Sequence, residues 1–316
     1  MKNTKLALFG VGNLGKRYMQ AIAKIENVEL VVFDVSESVL EEIPLFLDKN
    51  NCSSLNYKVS LYQEVLDFID PDTIVISAST AKDRISQLLD VINRNPRGLI
   101  IEKPVVQRSD DYKLILDSLK GKNIISFVDF TLRMQPFYRT LKMALSQVKS
   151  GSYSVHLPRM GLMCVGIHHI DIFKWLFDID KIEVVSSFFE SVYEQKRQGY
   201  FDVTGSLTLK SGDLYATIIN SRNADVRSVQ IITQDKVFSL NEDQRWLSTL
   251  DVTNKTIINE KIEYSFVSQY MSDLIKKMID GRYDEIDLPS IVESFDSHQM
   301  VFDFLETYNH ENLNFT

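Results

Sequence analysis

A short apolar run, Lys5–Phe9, stops at Gly10-Val11-Gly12-Asn13-Leu14-Gly15, and helical spacing takes over across Asn13–Lys24. A second apolar run, Val28–Phe33, closes on Asp34, about 20 residues beyond the glycines. This succession of strand, glycine turn, helix, strand and acid constrains the fold more than any other stretch. The first glycine permits a tight turn, the second lets backbone approach a diphosphate, and the third lets helix meet strand. Amides at a helix start have no partner within the helix and suit an anion. The expectation is a Rossmann unit, with Gly10, Gly12, Asn13, Leu14 and Gly15 around a pyrophosphate and Asp34 on a ribose.

The alternation continues to about residue 130. Helical spacing covers Glu37–Asn50, Leu61–Ile69, Lys82–Asn93 and Ser109–Leu119, the last with Ser109 as N-cap. Thr73–Ser77, Leu99–Ile101 and Ile124–Phe127 are continuous apolar runs, as expected of parallel strands covered on both faces. From about Ser150 the pattern changes. One helix, Ile167–Phe177, precedes alternating stretches at Ile182–Val192, Phe201–Lys210, Leu214–Ser221, Val226–Thr233 and Lys236–Asn241, with the turn sequence Lys210-Ser211-Gly212-Asp213 predicting a hairpin between two of them. Tyr264–Met278 and Leu288–Glu306 return to helical spacing. The expected fold is an N-terminal Rossmann domain with a doubly wound parallel sheet over 1–130. A C-terminal α+β domain with a large, open, mostly antiparallel sheet follows over 131–316 and serves substrate binding and oligomerisation.

Composition limits the partners. A net charge of −8, with the acids scattered, argues against nucleic acid, which needs concentrated positive charge. Two cysteines, Cys52 and Cys164, make neither a disulfide framework nor a zinc site, so no metal is expected. No stretch approaches the roughly 20 apolar residues of a membrane span, and the start Met1–Gly12 lacks a cleavage site. The expectation is a cytoplasmic protein with no membrane partner.

A carboxylate at position 34 can accept both adenosine-ribose hydroxyls and repels a 2′-phosphate. Val35-Ser36-Glu37-Ser38 brings no cation to neutralise one, so NAD is preferred over NADP as cofactor. Glu102-Lys103-Pro104 follows the strand Leu99–Ile101, and the carboxyl ends of parallel strands line the ligand crevice. A lysine there can hydrogen-bond a hydroxyl or carbonyl and stabilise charge as hydride moves. Taken alone, such a tripeptide is more often a solvated turn.

Together these residues resemble the Gfo/Idh/MocA family of NAD(P)-dependent sugar and inositol oxidoreductases. The resemblance spans almost the whole chain: the glycine turn, Asp34, Thr73–Thr80, Glu102-Lys103-Pro104, Arg133-Met134-Gln135-Pro136, and Gly166-Ile167-His168-His169-Ile170-Asp171, which is similar to the family's Gly-x-His-x-x-Asp helix start. It implies hydride transfer between the cofactor and a carbinol or ketone of a sugar or activated sugar, in glycan-precursor biosynthesis. Lys103 would polarise the reacting oxygen and His168 would move the proton. Ser79, Thr80, Glu102 and Lys103 would join the cofactor set, and Arg133, Asp171 and Tyr153 the substrate set. Imidazole suits proton transfer because its unperturbed pKa is about 6.5. His168 and Asp171, three apart, share a helical face, so the carboxylate could orient the ring; His169 projects elsewhere. The resemblance also implies a homodimer or homotetramer joined through the C-terminal sheet.

Three departures accompany it. The family's carboxylate four residues before the histidine is replaced by Cys164, so either His168 works with Lys103 alone, or a group such as Tyr153, His156 or Asp171 substitutes, or oxidation is not the physiological reaction. The stretch from Gly151 to Gly166 is short for the family's strand and loop. Arg84 stands where the family carries histidine, either facing an anionic substrate or on a solvated helix face. Two other readings stay open: a non-catalytic, dinucleotide- or sugar-binding regulatory member, and a redox-neutral sugar epimerase.

Overall fold

The structure, a computed structural model, describes residues 3–223 and 225–315. The chain divides into two compact units, Met1–Asp129 with Ser265–Glu293, and Phe130–Tyr264 with Ser294–Thr316. The segment 265–293, expected with the second half, therefore belongs to the first unit.

In the first unit, six strands lie in the order β3-β2-β1-β4-β5-β6: β1 (Thr4–Phe9), β2 (Val28–Phe33), β3 (Tyr57–Val59), β4 (Ile74–Ser77), β5 (Gly98–Ile101) and β6 (Ile125–Val128). Every pairing is parallel. Leu6–Phe9, Ile74–Ile76 and Leu99–Ile101 are wholly buried, which is why these runs show no alternation. Strand order reverses between β1 and β4, the switch point at which ligands bind in such sheets. Helix Asn13–Ile22 buries Gly15, Tyr18, Met19 and Ile22, the spacing of one helical face. Helix Val267–Asp280 packs against it and buries Tyr270, Met271, Leu274 and Met278. Lys24 Nζ donates to Ser268 O across this contact (2.6 Å).

Local differences have local causes. The helix expected over Glu37–Asn50 is two, Glu37–Glu41 and Ile43–Lys49, with a proline in the first turn of the second, where its missing N–H is tolerated. Ser109 opens its helix, and Arg108 takes the cap position.

The second unit is built on an eight-stranded sheet in the order β14-β13-β12-β11-β7-β10-β9-β8. Its strands are β7 (Ser150–Pro158), β8 (Glu183–Glu194), β9 (Phe201–Ser211), β10 (Asp213–Ser221), β11 (Ser228–Ile232), β12 (Lys236–Asn241), β13 (Trp246–Asp251) and β14 (Thr256–Lys261). All pairings are antiparallel except β10 with β7. Strand β7 is nine residues long, and a seven-residue turn, Arg159–Val165, joins it to helix Gly166–Leu176. One sheet face buries Tyr153, Val155, Val203, Leu207, Leu214, Ala216 and Ile218. Helix Gly166–Leu176 is buried along almost its entire length. No helix among the described residues is long and apolar enough to cross a membrane.

Candidate functional site

The three glycines of the first turn differ in what surrounds them. Gly10 has φ 85°, and a Cβ there would lie 2.4 Å from Ser79 N, so only glycine lets the carboxyl ends of β1 and β4 approach this closely. A Cβ on Gly15 would meet Gly10 O at 2.0 Å. Around Gly12 a Cβ would find nothing within 4 Å. An open cradle therefore lies at the start of helix Asn13–Ile22, which has no side-chain cap. These residues fit a dinucleotide pyrophosphate: helix-start amides with space in front of them. Asp34 reaches the same turn, accepting from Val11 N (2.7 Å) and Ser36 N (2.9 Å). Each carboxylate oxygen retains a second lone pair for a ribose hydroxyl.

Ser79 and Thr80 follow β4 directly. Ser79 Oγ donates to Gln87 Oε1 (2.9 Å), as does Ser77 Oγ (2.8 Å). Arg84 is neither solvated nor facing a ligand. It is 2% exposed, and its guanidinium donates to the backbone carbonyls of Ser79, Glu102, Pro104 and Val105. The arginine is thus a staple between the loops after β4 and β5, a role that needs its planar array of donors.

Behind Lys103 lies a buried acid cluster. Tyr18 Oη is within hydrogen-bond reach of Glu102 Oε1 and is 2.6 Å from Asp129 Oδ2. Tyr270 Oη donates to Asp129, with Oδ1 at 2.9 Å. A phenol has one proton, so a carboxylic acid must donate in one of Tyr18's two contacts. Burial, and then the neighbouring Asp129, push the Glu102 carboxyl up to about 8, while Lys103 and Arg84 pull against them. Asp129 is raised as well, again first by burial. Two buried carboxyls this close hold a proton near neutrality. Asp129 closes β6 as Asp34 closes β2, and that was its sequence signal; Tyr18 and Tyr270 carry none.

In the second unit, His168 opens helix Gly166–Leu176 and is 8% exposed. Phe130 stands edge-on to its ring, 5.5 Å between centroids. Asp171 accepts a two-pronged contact from Arg133, Nε to Oδ2 and Nη2 to Oδ1, both 2.7 Å. The structure thus joins two residues of the expected substrate set, and this carboxylate anchors an arginine. Tyr153, the third, is fully buried, with its hydroxyl 2.6 Å from His169 Nδ1. Burial, aided by Arg227, pushes His169 down to about 3, so that ring stays neutral. Nearby, Tyr138 Oη donates to Glu242 Oε1 (2.8 Å), and Arg227 pairs with Glu242 at 3.1 Å. His156 pairs with Ser221 Oγ (2.8 Å). The three side chains considered as substitutes at position 164 are thus all engaged elsewhere.

The turn before His168 has an unforeseen organiser. Asp202 is fully buried; its Oδ1 accepts from Met163 N (2.9 Å) and Val203 N (2.8 Å), and its Oδ2 from Cys164 N and Gln195 Nε2 (both 2.9 Å). Four donors match the roughly four lone-pair sites of a carboxylate. Cys164 also lines a cavity of about 660 Å³ with Arg159, Tyr193, Lys196, Arg197 and Arg222 among its walls.

No family model matches the chain. In sequence it is 20% identical over 349 aligned positions to glucose-6-phosphate 3-dehydrogenase of Bacillus subtilis (strain 168), covering 96% of this chain and 95% of that protein. Levoglucosan dehydrogenase, in a complex with NADH and L-sorbose, superposes with a TM-score of 0.71 at 14% identity, over 98% of each chain. A UDP-N-acetylglucosamine 3-dehydrogenase from Acidithiobacillus ferrooxidans superposes at 0.70 and 14% identity, over 96% of this chain and 97% of that one. The fold is that of the Gfo/Idh/MocA dehydrogenases. Within this fold, the chain has the glycine turn after β1, a lysine after β5 and a histidine in the first turn of helix Gly166–Leu176. Among the described residues no group of three or more His, Cys, Asp or Glu is placed to hold a metal ion.

Proposed function

We propose that the protein is an NAD(H)-dependent oxidoreductase acting on a carbinol or ketone of a sugar or activated sugar. The observation that carries this reading is the open cradle at Gly12 beside Asp34, with Lys103 presented on the next loop but one of the same sheet. The full-length sequence likeness to a sugar-phosphate dehydrogenase and the fold likeness to a nucleotide-sugar dehydrogenase support the substrate class. The neighbour with bound NADH supports a nicotinamide cofactor. NAD is preferred over NADP because Asp34 repels a 2′-phosphate and Val35–Ser38 brings no cation to offset it.

A bound nicotinamide dinucleotide would supply the hydride acceptor or donor. Amides of Asn13, Leu14 and Gly15 hold its diphosphate, Asp34 its ribose, and the Ser79–Thr80 and Glu102–Lys103 loops its reactive end. Lys103 Nζ hydrogen-bonds the substrate oxygen and stabilises the charge that develops there. His168 moves the proton of that oxygen, and Arg133, fixed by Asp171, presents cation to the substrate. We place the reaction in glycan-precursor biosynthesis, in the cytoplasm, by analogy with this fold's sugar dehydrogenases. The exposed sheet face carries Tyr215, Ile219, Ile232, Trp246 and Ile257 among serines and threonines. That face is the proposed homodimer or homotetramer contact, which light scattering would read as mass.

The test is purification, detection of bound cofactor by absorbance and mass, and assay of sugar and sugar-phosphate panels with NAD(H). Lys103→Ala should lower kcat by about 10²–10⁴-fold with NADH affinity little changed. An unaltered kcat removes the lysine from its role. Tight NADH binding with no turnover on any panel favours a regulatory member instead, a reading that Cys164 in place of a carboxylate keeps in view.

A further inference from the structure

The register of β7 and β10 places Pro158 opposite Ser221. The next residues, Arg159 and Arg222, therefore emerge side by side from the carboxyl ends of the sheet's one parallel pair. Arg159 N donates to Ser221 O (3.1 Å) and its Nε to Arg222 O. Arg222 Nη2 donates to Val192 O (3.2 Å), and its guanidinium sits 5.9 Å from the Tyr193 ring centroid. These contacts use part of each five-donor fork. Lys196 and Arg197 complete the wall of the 660 Å³ cavity, and the one carboxylate among the lining residues is Glu194. Its Oε1 already accepts from Gly199 N (2.8 Å). In a chain of net charge −8, four cations against one acid are a local reversal of sign, and a concave wall of one sign concentrates opposite charge.

We propose that this basin is a phosphoryl-binding subsite for the substrate. The proposal rests on the sugar oxidoreductase reading and narrows it to phosphorylated sugars. Paired guanidinium groups match phosphate oxygens in geometry and charge, and the cavity volume is that of a small-molecule site. The turn's amides cannot do this work, because those of Met163 and Cys164 are given to Asp202. The substitution at position 164 then has a physical reason. The resembled family has a carboxylate at this position, which here would line the basin and repel a phosphate; Cys164 brings no such charge. Cys164 lies four residues before His168, so the basin adjoins the turn that leads into the helix carrying the imidazole.

The phosphoryl group could belong to a sugar monophosphate or to the diphosphate of a nucleotide sugar. Isothermal titration calorimetry on the full chain, with saturating NADH to fill the glycine cradle and sodium chloride at matched ionic strength, distinguishes them. The probes are free hexoses, their 6-phosphates and uridine diphosphate hexoses. The expected result is a phosphorylated probe binding at least roughly tenfold tighter than its free hexose, with that preference lost in R159A/R222A and reduced in R197Q. Which of the two phosphorylated arms shows it names the source. Equal affinity for phosphorylated and free sugars, or an undiminished preference in the variants, overturns the proposal. If circular dichroism shows R159A/R222A unfolded, the exposed-loop variants R197Q and K196Q decide. Failure of the wild type to bind NADH would instead sink the oxidoreductase reading, while the same calorimetry without cofactor still reads the phosphoryl preference.

Discussion

Each unit makes a short strand-to-helix turn around a glycine of positive φ, yet the two turns present opposite surfaces. After β1, Gly10 (φ 85°) turns the chain and the space beyond Gly12 is open. After β7, Gly161 (φ 94°) turns the chain against Asp202, whose Oδ2 would lie 1.9 Å from a Cβ at that position. The first turn offers backbone amides to an outside anion. The second has already received one from its own chain, so recognition there passes to side chains on its rim. Backbone amides in a turn that leads into a helix make an anion site only where the chain brings no carboxylate of its own.

The comparison breaks most readily at Asp202. Asp202→Ala leaves four donors without their acceptor, two of them buried, and should lower stability by roughly 3 kcal/mol, read as a urea-unfolding midpoint. A small change would mean that the carboxylate is not the turn's organiser. Gly15→Ala comes next, since its Cβ meets Gly10 O; overpacking of this kind costs about 1–3 kcal/mol and should weaken NADH binding as well. Gly12→Ala sharpens the contrast, because nothing in the protein opposes its Cβ. It should leave the melting temperature nearly unchanged while NADH affinity, followed by fluorescence, falls. A Gly12→Ala protein that binds NADH normally would remove the cradle.

Asp34→Ala should weaken NADH by roughly tenfold, the worth of a charge-assisted hydrogen bond, and leave NADPH unaffected or improved. Equal loss of both removes the basis for preferring NAD. A different kind of effect is one of pH. The unfolded state releases the Glu102 proton near the ordinary value of 4.5, whereas the folded state keeps it to about 8. The contribution of this group is therefore complete below pH 4.5 and is lost as pH rises toward 8. Melting temperatures should fall across that window in the wild type and fall less in Glu102→Gln, which has no proton to lose. Identical slopes would place the retained proton elsewhere.

The parallel sheet was legible because burial on both faces writes itself as unbroken apolar runs, and because glycines and closing acids punctuate it. Strands with weak or no burial left less trace. All six residues of β14 are exposed, so nothing fixes a parity. β3 is only three residues long. β7 does alternate, with Tyr153, Val155 and Leu157 inward, but its serines and glycine masked the pattern. Site residues divide in the same way. Lys103 and His168 sit in motifs, whereas Asp202, Tyr18 and Tyr270 gain meaning only from partners distant in the chain. Arg84 shows the limit most plainly, since its sequence position left an anionic ligand or a solvated face open and its neighbours make it a buried clamp.

That clamp bears on motion. One guanidinium grips carbonyls from the loop after β4 and from the loop after β5. Two segments that would otherwise fluctuate separately become a single mechanical piece, with the Ser79 loop and the Lys103 loop displaced together or not at all. Amide exchange in the two loops should then slow and quicken in step. Loosening the arginine should blur the lysine's position without touching the lysine.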